Sequence, residues 1–145
     1  MLITEFGTID QKEIKEQFQN KESYINQFLK SVNSAPNDYQ TCIAAYAILK
    51  LNQSPSQMWE LLGGMGKSRV IATMAFMLIE RGYSKVHIVL PTVALMNRDK
   101  EEFNDYWAKS NNGQKVEYHT NFEFEIKVGE IIISDEADHL MFKDP

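Results

Sequence analysis

Apolar positions along this chain follow a helical period up to about residue 56 and a mixed strand and helix pattern beyond it. Near the start, Thr8-Ile9-Asp10-Gln11 has capping-box spacing and predicts a helix through Gln19, with Ile14 and Phe18 on one face. Ile25, Phe28, Leu29 and Val32 recur at i, i+3, i+4 and i+7, the stripe of an amphipathic helix. The breaker cluster Asn33-Ser34-Ala35-Pro36-Asn37-Asp38 ends it, and a third helix runs to about Leu51 before Ser54-Pro55-Ser56. A packing layer or an adaptor surface is the expected role of these helices.

From there the pattern predicts a strand over 58–62, a glycine loop, a helix over 68–81, and a strand over 86–90. A helix over 93–109, a turn at Asn111-Asn112-Gly113, and strands over 116–119 and 130–134 complete it. Strands separated by helices imply βαβ units, hence an α/β fold with a parallel sheet and helices on both faces. Ligands in such sheets sit at the carboxyl ends of the strands. The expected organisation is a helical segment over 1–56 and an α/β domain over 57–145.

Two motifs fall at those strand ends. Gly63-Gly64-Met65-Gly66-Lys67-Ser68, with Arg69 following, contains G-x-G-K-S. Glycines there let backbone amides approach a phosphate, and the helix that follows aims its positive end at the same anion. Lys67 would reach the terminal phosphates and the Ser68 hydroxyl would ligate Mg2+. Leu61 stands where the strict P-loop pattern has a glycine. Downstream, the run Glu130-Ile131-Ile132-Ile133-Ser134 delivers Asp135-Glu136-Ala137-Asp138. The first carboxylate, Asp135, suits Mg2+, and Glu136 suits orientation or deprotonation of the attacking water.

Composition changes this picture little. The 145 residues suffice for one domain core, 43% are apolar, and the net charge of −5 supplies no global field for nucleic acid. Cys42 is the only cysteine, which excludes an internal disulfide or a cysteine-built zinc site and fits a reducing compartment. The longest apolar run, over 70–79, is too short to span a bilayer and reads as a buried helix. Met1-Leu2-Ile3-Thr4-Glu5 lacks the basic start of a signal peptide, so a cytoplasmic location is expected. His87, His119 and His139 are too scattered in sequence for a ligand cluster, and His87 reads as a satisfied core residue. Trp59, Trp107 and the phenylalanines read as core.

Taken together, the motifs resemble the SecA-type DEAD-like domain, the N-terminal RecA-like motor lobe of superfamily 2 ATPases and helicases. Gly63-Gly64-Met65-Gly66-Lys67-Ser68 resembles that family's T-G-E-G-K-T. Val89-Leu90-Pro91-Thr92, then Ala94-Leu95-Met96-Asn97-Arg98-Asp99, is similar to the segment ending in L-A-x-R-D. Tyr118-His119-Thr120-Asn121-Phe122-Glu123-Phe124 resembles Y-G-T-N-N-E-F, and Ile132 to Asp138 resembles the I-V-D-E-V-D element in its D-E-A-D spelling. The resemblance covers roughly residues 57–142.

It implies a RecA-like P-loop sheet, incomplete over motifs I to II, that binds Mg-ATP. The cofactors are then ATP and Mg2+, with Gly63, Gly64, Met65, Gly66, Lys67, Ser68 and Arg69 on the phosphates, Ser68 and Asp135 on the metal, and Glu136 catalytic. Hydrolysis by the chain alone is expected to be weak or absent, and a second lobe or a partner chain would complete both sheet and ATPase. Polypeptide and nucleic acid both stay open as the polymer moved. The alternative is a non-catalytic interaction or structural subunit derived from such a motor.

Overall fold

The structure, a computed structural model, describes residues 2–4, 7–9, 23–59 and 66–135. The chain divides into two compact units, residues 1–77 and 78–145.

The first unit begins with a hairpin. Strands β1 (Leu2–Thr4) and β2 (Gly7–Ile9) pair antiparallel, with Thr8 opposite Ile3. Thr8 therefore opens no helix, and the expectation of an all-helical N-terminal segment is corrected at its start. The β-branched residues Ile3, Thr4, Thr8 and Ile9 suit a strand at least as well as a cap. The rest of that expected helix, residues 10–19, lies outside the described residues.

Helix α1 (Ser23–Ser31) buries Ile25 and Leu29, with Val32 just beyond its end, as the periodicity predicts. Helix α2 (Asp38–Leu49) starts on a reciprocal cap. The Asn37 side chain accepts from the Gln40 N–H at 2.8 Å, and the Gln40 side chain accepts from the Asn37 N–H at 3.0 Å. Cys42, Ile43, Ala44, Ala45, Ala47 and Ile48 are all buried, so this helix is core on more than one face.

Past its end, the Gln57 amide donates to the carbonyls of Ala47 and Ser54, both at 2.9 Å, and Trp59 Nε1 donates to Gln57 Oε1 at 2.9 Å. Those bonds hold Met58 and Trp59 in irregular backbone where a strand was expected. Residues 60–62 of that expected strand lie outside the described residues.

Helix α3 (Lys67–Glu80) crosses the boundary between the units. Every residue over 70–79 except Met74 is buried, as expected of the apolar run.

In the second unit, β3 (Lys85–Val89), β4 (Val116–His119) and β5 (Glu130–Ser134) form an all-parallel sheet in the order β4-β3-β5. Helices flank it, and the chain is α/β. Thr92 caps helix α4 (Val93–Glu102), its hydroxyl accepting from the Leu95 N–H at 3.1 Å. The single helix expected over 93–109 is two: Phe103 leaves helical geometry (φ −104, ψ 10) and α5 (Asn104–Ser110) follows. At that break Phe103 is almost fully buried and meets Tyr106 edge-on at 5.4 Å, so burial of the ring accompanies the lost helical continuity. Asn111, with φ 59, ends α5 in the left-handed conformation.

The sheet's two faces differ. Strand period and register put Val86, Ile88, Val116, Tyr118, Ile131 and Ile133 on one face. Lys85, His87, Glu117, His119 and Glu130 share the other. Parallel sheets are ordinarily apolar on both sides. A polar half-face is therefore a departure that needs a reason. Among the described residues, no helix is long and apolar enough to cross a membrane.

Candidate functional site

Of the glycine loop, Gly66 to Arg69 are described and Gly63, Gly64 and Met65 are not. Gly66 has φ +72, a conformation that a side chain disfavours, and its carbonyl accepts the N–H groups of Arg69 at 3.0 Å and Val70 at 3.3 Å. It therefore forms the turn that opens α3, and Lys67 and Ser68 are the first two residues of that helix. A Cβ at Gly66 would overlap the Gln40 side-chain amide. Gln40, 3% exposed, is a residue that sequence reasoning missed, because only folding brings α2 to this turn. These residues all belong to the first unit.

The acidic half belongs to the second unit. Asp135 follows β5 directly, is 8% exposed, and donates its N–H to the Val89 carbonyl at 2.9 Å. That bond extends the β3–β5 ladder by one residue and fixes Asp135 at the carboxyl end of the sheet. Glu136, Ala137 and Asp138 lie outside the described residues.

Asp99, from the segment resembling L-A-x-R-D, is buried in α4, with Arg98 Nη2 at 3.3 Å. Burial pushes its carboxyl up against the opposing pull of Arg98, and the charges of Glu102 and Asp135 push it further. Tyr118 is half-buried, and desolvation of its phenol pushes it up to about 12. Its ring receives Lys100 Nζ at 5.8 Å.

The histidines give a correction. His87 is a buried, hydrogen-bonded residue as expected, but it is not remote from His119: His87 Nδ1 lies 2.9 Å from His119 Nε2. His87 Nε2 bonds Glu130 Oε1 at 2.8 Å, and His119 Nε2 is 3.5 Å from Glu117 Oε1. Phe124 stacks on both rings, with centroids 3.7 Å from His119 and 4.8 Å from His87. Parallel pairing of β3 with β4 joins residues far apart in sequence, which spacing alone does not reveal. A detectable signal was there: His87, Glu117 and His119 each interrupt a short β-rich run. His139 lies outside the described residues.

Set against protein-family models, curated proteins and solved structures, the chain matches none of them. The likeness to SecA-type motors thus rests on the motifs themselves.

Proposed function

We propose that this chain is a nucleotide-binding domain of the SecA-like, DEAD-like ATPase class, with a RecA-like sheet that binds Mg-ATP. The observation that carries this reading is Gly66, held left-handed at the mouth of α3 with Lys67 and Ser68 as the first helical residues. A glycine turn, a helix N-terminus, a lysine and a hydroxyl are the parts that phosphate binding requires. Asp135, buried at the carboxyl end of a parallel strand, supports the reading as the metal-side carboxylate. On this reading Lys67 is the charge on the terminal phosphates, Ser68 is the metal-ligand hydroxyl of the glycine turn, Asp135 is a metal-side carboxylate, and Glu136 handles water.

Hydrolysis by the domain alone is slow, because an arginine delivered from a second lobe or chain is worth roughly 10³–10⁵ in rate in comparable enzymes. Calorimetry with Mg-ATP and Mg-ADP tests the assignment. Wild type binds both, and Lys67→Ala loses measurable binding while retaining its thermal unfolding transition. Equal affinity in that variant removes the glycine turn from the reading.

A further inference from the structure

Three donor atoms converge on the polar face of the second unit's sheet. The register sets His87 opposite Glu117 and Val89 opposite His119, so the strand period turns His87, Glu117 and His119 to one side. Their donor atoms all lie within 4.8 Å of one another. A tetrahedral ion with ligands at about 2.0–2.2 Å holds its donors roughly 3.3–3.5 Å apart. The His87–His119 spacing is 2.9 Å, the His119–Glu117 spacing is 3.5 Å, and His87 and Glu117 lie within 4.8 Å, so side-chain rotation brings the set to that geometry.

We propose that His87 Nδ1, His119 Nε2 and Glu117 Oε1 form a binding site for a divalent transition-metal ion of the zinc class. This goes beyond the nucleotide reading and does not depend on it.

The surroundings of His87 favour a metal. Its far nitrogen, Nε2, is 2.8 Å from Glu130 Oε1, which also accepts the Lys127 N–H at 3.3 Å. A carboxylate behind an imidazole fixes the tautomer and raises the basicity of the nitrogen facing the ion. Glu130 Oε1 already accepts the Lys127 N–H, which makes it the acceptor and His87 Nε2 the donor in their contact. With the His87 proton on Nε2, the Nδ1 lone pair points toward His119.

Phe124 lies nearly parallel to both rings, at 12° and 22°, which holds their planes and limits water on that side.

Proton and charge balance are simple. Without metal, His119 Nε2–H donates to His87 Nδ1. When the ion binds, that proton moves to His119 Nδ1, so both imidazoles stay neutral and none is released. Glu117 and Glu130 together offset the two positive charges. Lys85 Nζ, 3.1 Å from Glu117 Oε2, engages the oxygen that the ion does not use. Two nitrogens and one oxygen favour Zn2+, Ni2+, Cu2+ or Fe2+ over Mg2+ and Ca2+. Three protein ligands leave a fourth position for water or a ligand.

The test is a Zn2+ titration of the chelator-stripped full chain against a chromophoric chelator, with excess Mg2+ and no nucleotide. One Zn2+ per chain is expected, unaffected by Mg2+. His119→Ala weakens binding on the order of 100-fold or more, and Glu130→Gln, behind the ligand, about 10–100-fold. Glu117→Gln weakens it comparably, and its half-exposed side chain makes this the variant least able to disturb folding, which circular dichroism verifies. His139→Ala leaves the affinity unchanged. Absence of stoichiometric binding overturns the proposal, as does wild-type affinity in Glu117→Gln or a loss of binding in His139→Ala alone.

Discussion

Gln40 donates its side-chain amide to the carbonyl of Gly66 at 3.4 Å, across a separation of 26 residues. The same side chain closes the cap of α2 through Asn37. One glutamine thus ties the start of α2 to the turn that opens α3. Gly66→Ala should cost about 1–2 kcal/mol for a left-handed alanine alone, with a further cost for overlap with Gln40. Gln40→Ala relieves only the overlap. Urea unfolding should therefore show a smaller cost for Gly66→Ala in the Gln40→Ala background than in wild type. An equal cost in both would mean that backbone conformation alone demands glycine here.

Asp99 is the clearest source of pH dependence outside the histidine cluster. Burial raises its carboxyl above the ordinary 3.8, opposed by Arg98 and reinforced by Glu102 and Asp135. A carboxyl raised on folding is bound more tightly to its proton in the native state. Stability from this group is therefore greatest below 3.8 and declines as pH rises through the folded value. Asp99→Asn should be more stable than wild type at pH 7, with the advantage shrinking toward pH 4. Thermal unfolding at both values checks it. A less stable variant at pH 7 would mean that the Arg98 contact outweighs the burial.

Period and punctuation were enough to locate α1, α3 and the three parallel strands, because each buries a run whose spacing matches its geometry. Residues compatible with two structures misled the reading at Thr8 and Ile9, where a capping pattern and a β-branched strand coincide and pairing with Leu2 and Ile3 decides. Phe103 has no breaker chemistry, and local pattern does not mark the interruption between α4 and α5 at which its ring is buried. The His87–His119 contact depends on the register of β3 against β4, which no local pattern encodes. Gly66 and Asp135 were legible as motif ends. Gln40 and Asp99 acquire their surroundings only through folding.

Phe76, 2% exposed in α3, stacks parallel on Phe28 of α1 with centroids 4.5 Å apart. That pair joins two helices within the first unit. Phe76→Ala should destabilise the chain by about 3–5 kcal/mol, the usual cost of emptying an aromatic core position. Phe28 is only partly buried, so Phe28→Ala should cost less. Denaturant unfolding of both variants measures the difference. Equal costs would place Phe28 in the core on the same footing as Phe76.

Asp135 and Glu136 are adjacent in sequence, yet the proposed nucleotide chemistry gives them separate tasks. Asp135 is buried and fixed by its N–H to Val89 at the end of β5, which suits a group that must hold metal or metal-bound water in one place. Activation of the attacking water requires a second carboxylate, the role proposed for Glu136. Asp135→Ala should weaken nucleotide binding in Mg2+ and have little effect on the weaker binding seen in EDTA. Glu136→Gln should bind Mg-ATP as wild type does and lose whatever turnover the chain has. Calorimetry, a phosphate-release assay and a thermal melt of each variant separate these outcomes. Equal loss of Mg-dependent binding in both folded variants would reduce the pair to a structural acidic turn after a core strand.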